Sequence, residues 1–315
     1  MAVNSASGEG WLEWQVFSSD GQREHTFYLH NDVLLPQPDG WQGARVQDRG
    51  ASYESVELQT FSGDGAPRWH ERATPPSERV VTQDWKLVED PQGGSLFVFS
   101  GQVKMHKGAC AGEARWFEHT GLPAGSASAI GCWHIGGAAS NQGEALIVES
   151  SQRRSGRSSV HWIRRDGTHV GNPTLEGETG ALFSRGGPIR FAPLLDGSIA
   201  VNDQGRWTRR YPYLAERGEA APAWLEERSG WAYRFTRGNR GYAMFPPPGG
   251  ASAGCEPRVE IRAPSGRLCG TITLGLTGAP CSSGYIDQGW DGTVVQQLGE
   301  GQCSYRWWPR LLGPD

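Results

Sequence analysis

Six times along the chain an apolar or β-branched run stops at a short Gly-containing turn and then resumes. The copies are "VLLPQPDGWQGARV" from Val33, "WKLVEDPQGGSLFVF" from Trp85, "ASNQGEALIV" from Ala139, "IRFAPLLDGSIAV" from Ile189, "WAYRFTRGNRGYAMF" from Trp231 and "YIDQGWDGTVVQQL" from Tyr285. With Gly40, Gly94, Gly143, Gly197, Gly241 and Gly292 as markers, the intervals are 54, 49, 54, 44 and 51 residues. A regular period of this length marks a repeat architecture, in which each unit buries its apolar surface against the next.

A second phrase alternates with these copies, beginning ahead of the first, with two strand-like runs around a polar break. It reads "WQVFSSDGQREHTFYL" from Trp14, "VELQTFSGDGAPRWHE" from Val56, "VHWIRRDGTHVGNPTL" from Val160 and "VEIRAPSGRLCGTITL" from Val259. Asp-Gly or Ser-Gly between alternating runs is a strong hairpin signal, because these turns need the positive φ that Gly and Asp tolerate. Two hairpins per repeat give a four-stranded antiparallel sheet. The 45 Gly, 20 Pro and 14 Trp suit short strands and tight turns, and no long run carries the 3.6-residue period of a helix. The fold class is therefore all-β.

One such sheet cannot cover both of its faces, whereas sheets arranged radially cover each other and leave only short edges. From Trp11 to Leu312 the period and the Asp-Gly hairpins resemble bacterial β-propellers with Asp-Gly-rich blades. That resemblance implies a fold and no activity, since propellers host hydrolases, lyases, lectins and scaffolds alike. Six first hairpins predict six blades, closed when the N-terminal hairpin Trp11 to His30 completes the sheet begun by Tyr285. The outer phrase also occurs near "CSYRWWPRLL" at Cys303, so a seventh blade built partly from N-terminal residues is the alternative. Residues 1–10 are expected as a flexible segment and 11–315 as one propeller domain.

The net charge of -4, with Arg scattered rather than gathered in a stripe, lacks the footprint of a nucleic-acid binder. No window approaches the 18 apolar residues of a membrane span. The polar start "MAVNSASGEG" reads as a processed N-terminus behind a cloning Met, its export signal removed. The six cysteines fall into consecutive pairs separated by 22, 14 and 22 residues. The expected disulfides are Cys110–Cys132, Cys255–Cys269 and Cys281–Cys303, which would place the protein in the periplasm or at the cell surface. Free thiols in a cytosolic protein are the other reading, and no CxxC or CxxH spacing suggests a structural metal.

In a propeller, the loops feeding the first strands converge on one mouth of the central tunnel. Those loops bring His30 and Asp32, Trp133 and His134, Trp231, and Tyr285, Asp287 and Trp290. Aromatic rings with a few polar groups suit a carbohydrate, a peptide or an envelope protein. The favoured expectation is an exported recognition protein, monomeric unless part of an assembly, without cofactor or metal. The alternative is a hydrolase or lyase using His30 or His134 with Asp32 or Asp287 as acid–base partners. Trp69, Trp116, Trp162, Trp207 and Trp307 fall in outer strands and are expected in the core.

Overall fold

The computed structural model describes residues 2–7, 11–17, 22–30, 34–50, 53–74, 80–103, 110–128, 133–150, 158–170, 174–175, 190–203, 206–210, 219–228, 231–236, 240–246, 258–273, 286–288, 292–297, 305–308 and 311–312. The chain divides into two compact units, Ala2–Ala220 and Ala221–Asp315.

The first unit holds five antiparallel sheets whose strands follow one another in sequence. The first has three strands, β1 (Ala2–Ser7), β2 (Trp11–Phe17) and β3 (Arg23–His30). The second is β4 (Leu34–Gln37), β5 (Gly40–Gly50), β6 (Tyr53–Ser62) and β7 (Pro67–Arg72). The third is β8 (Val80–Glu89), β9 (Ser95–Val103), β10 (Cys110–Phe117) and β11 (Pro123–Ser128). The fourth is β12 (Trp133–Ala139), β13 (Glu144–Ser150), β14 (Ser158–Arg164) and β15 (Thr174–Leu175). The fifth is β16 (Arg190–Pro193), β17 (Ile199–Asp203), β18 (Arg206–Arg210) and β19 (Glu219–Ala220).

Apolar runs without polar alternation mark strands buried on both faces, and the core explains each run. In "SLFVF" on β9, Phe97 and Phe99 pack with Val56 and Leu58 of the second sheet. Leu96 and Val98 point the other way and pack with Ala145 and Ile147 of the fourth. In "ALIV" on β13, Leu146 and Val148 turn toward Ile199 and Val201 of the fifth. Val16 and Phe61 join the first sheet to the second. The first strands β8, β12 and β16 run beside one another, so successive sheets stack as blades do. Trp116 and Trp162 are fully buried between sheets, as expected.

Side chains near the first turns tie neighbouring sheets together. Gln37 Nε2 donates to the Gly94 carbonyl at 3.0 Å, and the Gly94 amide donates back to Gln37 Oε1 at 2.5 Å. Gln92 Nε2 donates to Asn141 O at 3.0 Å, and Asn141 Nδ2 to Leu195 O at 2.9 Å. The outer turns abut the preceding sheet. Gly121, at φ +94°, sits so close to Trp69 that a Cβ would lie 2.5 Å from Trp69 Cε3.

The second unit begins with one helical turn, α1 (Ala223–Glu227), which the sequence pattern did not predict and which buries Trp224 and Leu225. A four-stranded sheet follows, β20 (Ala232–Phe235), β21 (Tyr242–Phe245), β22 (Arg258–Arg262) and β23 (Leu268–Thr273). The last sheet has three strands, β24 (Ile286–Gln288), β25 (Val294–Gln297) and β26 (Tyr305–Trp308). Ala243, Phe245 and Val259 pack with Val294 between them.

All six expected first hairpins form, from β4–β5 to β24–β25. At the N-terminus, where a flexible lead and closure onto the last sheet were expected, the described residues are strands. Residues Ala2–Ser7 are strand rather than flexible lead, paired with β2 from Ala2↔Val16 to Ser7↔Trp11. β1 and β3 flank β2, so Trp11 to His30 lies in a three-stranded sheet among the described residues. Seven sheets are thus present among the described residues.

The disulfide Cys255–Cys269 is also corrected. Cys269 is a free, exposed thiol, and its Sγ lies 3.6 Å from the Arg267 carbonyl oxygen. It falls where the β22–β23 register shifts, between the pairs Arg262↔Leu268 and Ile261↔Gly270. Cys132, Cys255, Cys281 and Cys303 lie outside the described residues, as does the side chain of Cys110.

Candidate functional site

Of the eight residues placed at the tunnel mouth, Trp231 is the one whose side chain is described. Asp32, Tyr285 and Trp290 lie outside the described residues, as do the side chains of His30, Trp133, His134 and Asp287. The backbone puts His30 at the end of β3, Trp133 and His134 at the start of β12, and Asp287 within β24.

Trp231 is half-buried just before β20, the first strand of its sheet. Its position is fixed by Arg228, which follows α1. The Trp231 amide donates to the Arg228 carbonyl at 2.9 Å, and the Arg228 guanidinium lies 5.3 Å from the indole centroid, within cation–π range. That guanidinium is itself held, with Nε and Nη2 donating to Glu260 Oε1 at 3.0 and 2.7 Å. Arg262 serves the other oxygen, with Nε and Nη2 donating to Glu260 Oε2 at 3.2 and 2.7 Å, while its Nη1 reaches Gly266 O at 2.9 Å.

Glu260 is buried. Burial opposes its charge, but the hydrogen bonds from Arg228 and Arg262 outweigh that and hold the carboxyl below its usual value. The hydrogen bond to Glu260 likewise raises Arg228 above its usual value, against the effect of burial. Beside this network Trp224, Tyr233, Phe235 and Tyr242 form an aromatic cluster, with Trp224 and Tyr242 centroids 4.9 Å apart. Burial, and then Tyr242, push the Tyr233 phenol well above its ordinary value. Tyr233 therefore stays a neutral phenol.

A second surface escaped the sequence reading. A cleft of about 180 Å³ is lined by Gln59, Pro67, Arg68, Trp69 and His70 on β6 and β7. Trp69 was expected in the core and is half-buried, with its ring 5.9 Å from Phe117 while it also lines the cleft. Arg68 Nη1 donates to Asp39 Oδ2 at 2.6 Å, and His119 Nε2 lies 4.0 Å from Asp39 Oδ1. The signal was "PRWHE", an indole between Pro, Arg and His on an outer strand.

Among the described residues no group of three or more His, Cys, Asp or Glu is placed to hold a metal ion, and no helix is long and apolar enough to cross a membrane. What the sheets define is an all-β repeat protein made of propeller-type blades. No family model and no curated protein matches the chain. Among solved structures it is similar to one described as "Structure of Dos1 propeller", at a TM-score of 0.47 and 9% identity, covering 96% of this chain and 74% of that one. Another is described as "Crystal structure of the eukaryotic initiation factor", at a TM-score of 0.37 and 11% identity, covering 97% and 74%. The fold class rests on the sheets themselves.

Proposed function

We propose that the chain is a recognition protein without catalytic activity, acting in the periplasm or at the cell surface. It binds a carbohydrate, a peptide or an envelope protein at one mouth of a closed propeller. The seven sheets are its blades, with the N-terminal residues supplying the seventh. Packing of each described sheet on its neighbour within a unit supports the ring.

One observation carries the binding reading, namely the half-buried indole of Trp231 held under the Arg228 cation, which a buried carboxylate locks in turn. A platform fixed in advance loses little conformational freedom when a ligand stacks on it. Such a residue before a first strand is where a propeller presents its ligand surface, and in a ring Tyr285, Asp287, Trp133, His134 and His30 come to the same mouth.

The test is a screen of glycan and peptide arrays with wild type and Trp231→Ala. One ring–ligand stack is worth about 1–3 kcal/mol, so the variant should bind a hit about tenfold or more weakly at an unchanged Tm. A hit that Trp231→Ala binds as well as wild type would refute this site.

A further inference from the structure

Sheet edges invite other strands, and proteins guard them with short strands, Pro or charge. The outer edges of the four-stranded sheets follow that practice with one exception. β7 opens on Pro67 and carries Arg68, Glu71 and Arg72; β11 opens on Pro123; β15 and β19 are two residues each. β23, "LCGTIT", is six residues long with no charge and no Pro, and three of its residues are β-branched.

It is also open to solvent. Leu268 is 46% exposed, one of the two exposed large hydrophobic residues among those described. Cys269, Gly270, Thr271 and Thr273 are exposed as well, and a Cβ placed on Gly270 would meet nothing within 4 Å. From Gly270 to Thr273 the pairing with β22 is regular, and among the described residues no strand pairs with the far side of β23, which there presents backbone donors and acceptors.

We propose that β23 is a docking edge for a second copy of this chain, pairing antiparallel with its counterpart across a two-fold axis. An antiparallel strand is complementary to itself, so the same groups satisfy both edges. Its neutrality favours the same occupant, since two copies meet without like-charge repulsion. A strand pair this short buries less than a standard interface, so the dimer is weak and depends on concentration.

Sedimentation equilibrium under reducing conditions tests this. Wild type should pass from one-chain to two-chain mass as concentration rises. Thr271→Lys/Thr273→Lys, which places two like charges on each edge, should keep one-chain mass at the same concentrations with its Tm unchanged. Cys269→Ser should still dimerise. A wild type that stays monomeric to its solubility limit overturns the proposal. So does a dimer that the lysine pair leaves intact, or one seen only when reductant is omitted or lost in Cys269→Ser, which would be oxidation alone.

Discussion

Glu260 carries opposite consequences for stability and for pH. Removing a buried carboxylate that serves two guanidinium groups leaves Arg262 charged and buried, so Glu260→Ala should cost about 3–5 kcal/mol in denaturant titration. Its folded-state pKa is depressed, so its contribution is fully present above the ordinary carboxylate value near 4.5. That contribution is lost as pH falls through the lowered folded value. Wild-type stability should therefore drop more steeply below about pH 4 than that of Glu260→Gln, and equal slopes would contradict the assigned ion pairs. The tryptophans make a second comparison. Trp162 is 1% exposed, so Trp162→Ala should cost about 3–5 kcal/mol as a core truncation, whereas Trp231→Ala should leave Tm nearly unchanged. The sequence separated these two by strand position alone. It did not separate Trp69, on the edge strand β7, from Trp162, on the third strand β14 of its sheet, and Trp69 lines a cleft.

Turns were the most legible elements, because few residues satisfy them. At the outer turn between β22 and β23, Gly266 has φ +83°, and a Cβ there would lie 2.0 Å from Trp224 Cδ1. Gly266→Ala should cost at least about 1–2 kcal/mol from backbone conformation alone, with more from the displaced indole. A Tm equal to wild type would show that the turn does not rest on α1. Elements whose stability comes from neighbours were not legible. β1, "AVNSAS", has no apolar period and is a strand because the edge of β2 holds it. α1 is five residues long, too short to signal itself, and is anchored by Trp224 and Leu225. Cysteine spacing likewise did not foretell that Cys269 is a free, exposed thiol.

For the whole molecule, the repeat period carried the architecture, because burial of both faces forces sheet to stack on sheet. Its six markers correspond to the six first hairpins, and the N-terminal strands add a further sheet among the described residues. The proposed export retains a chemical test. In unreduced protein, mass spectrometry should find Cys110–Cys132 and Cys281–Cys303 joined and Cys269 open to alkylation, whereas six alkylated cysteines would remove the argument for an oxidising compartment. Of the residues in the proposed recognition surface, Trp231 and Asp287 lie in one unit and His30, Trp133 and His134 in the other. The proposed function therefore needs closure into one ring, and small-angle X-ray scattering of the Thr271→Lys/Thr273→Lys variant tests that proposal most directly. A single compact body of this length should have a radius of gyration of about 20 Å and a distance distribution with one maximum. A radius several ångströms larger, with a second maximum from two separated bodies, would contradict the ring and the binding mouth with it.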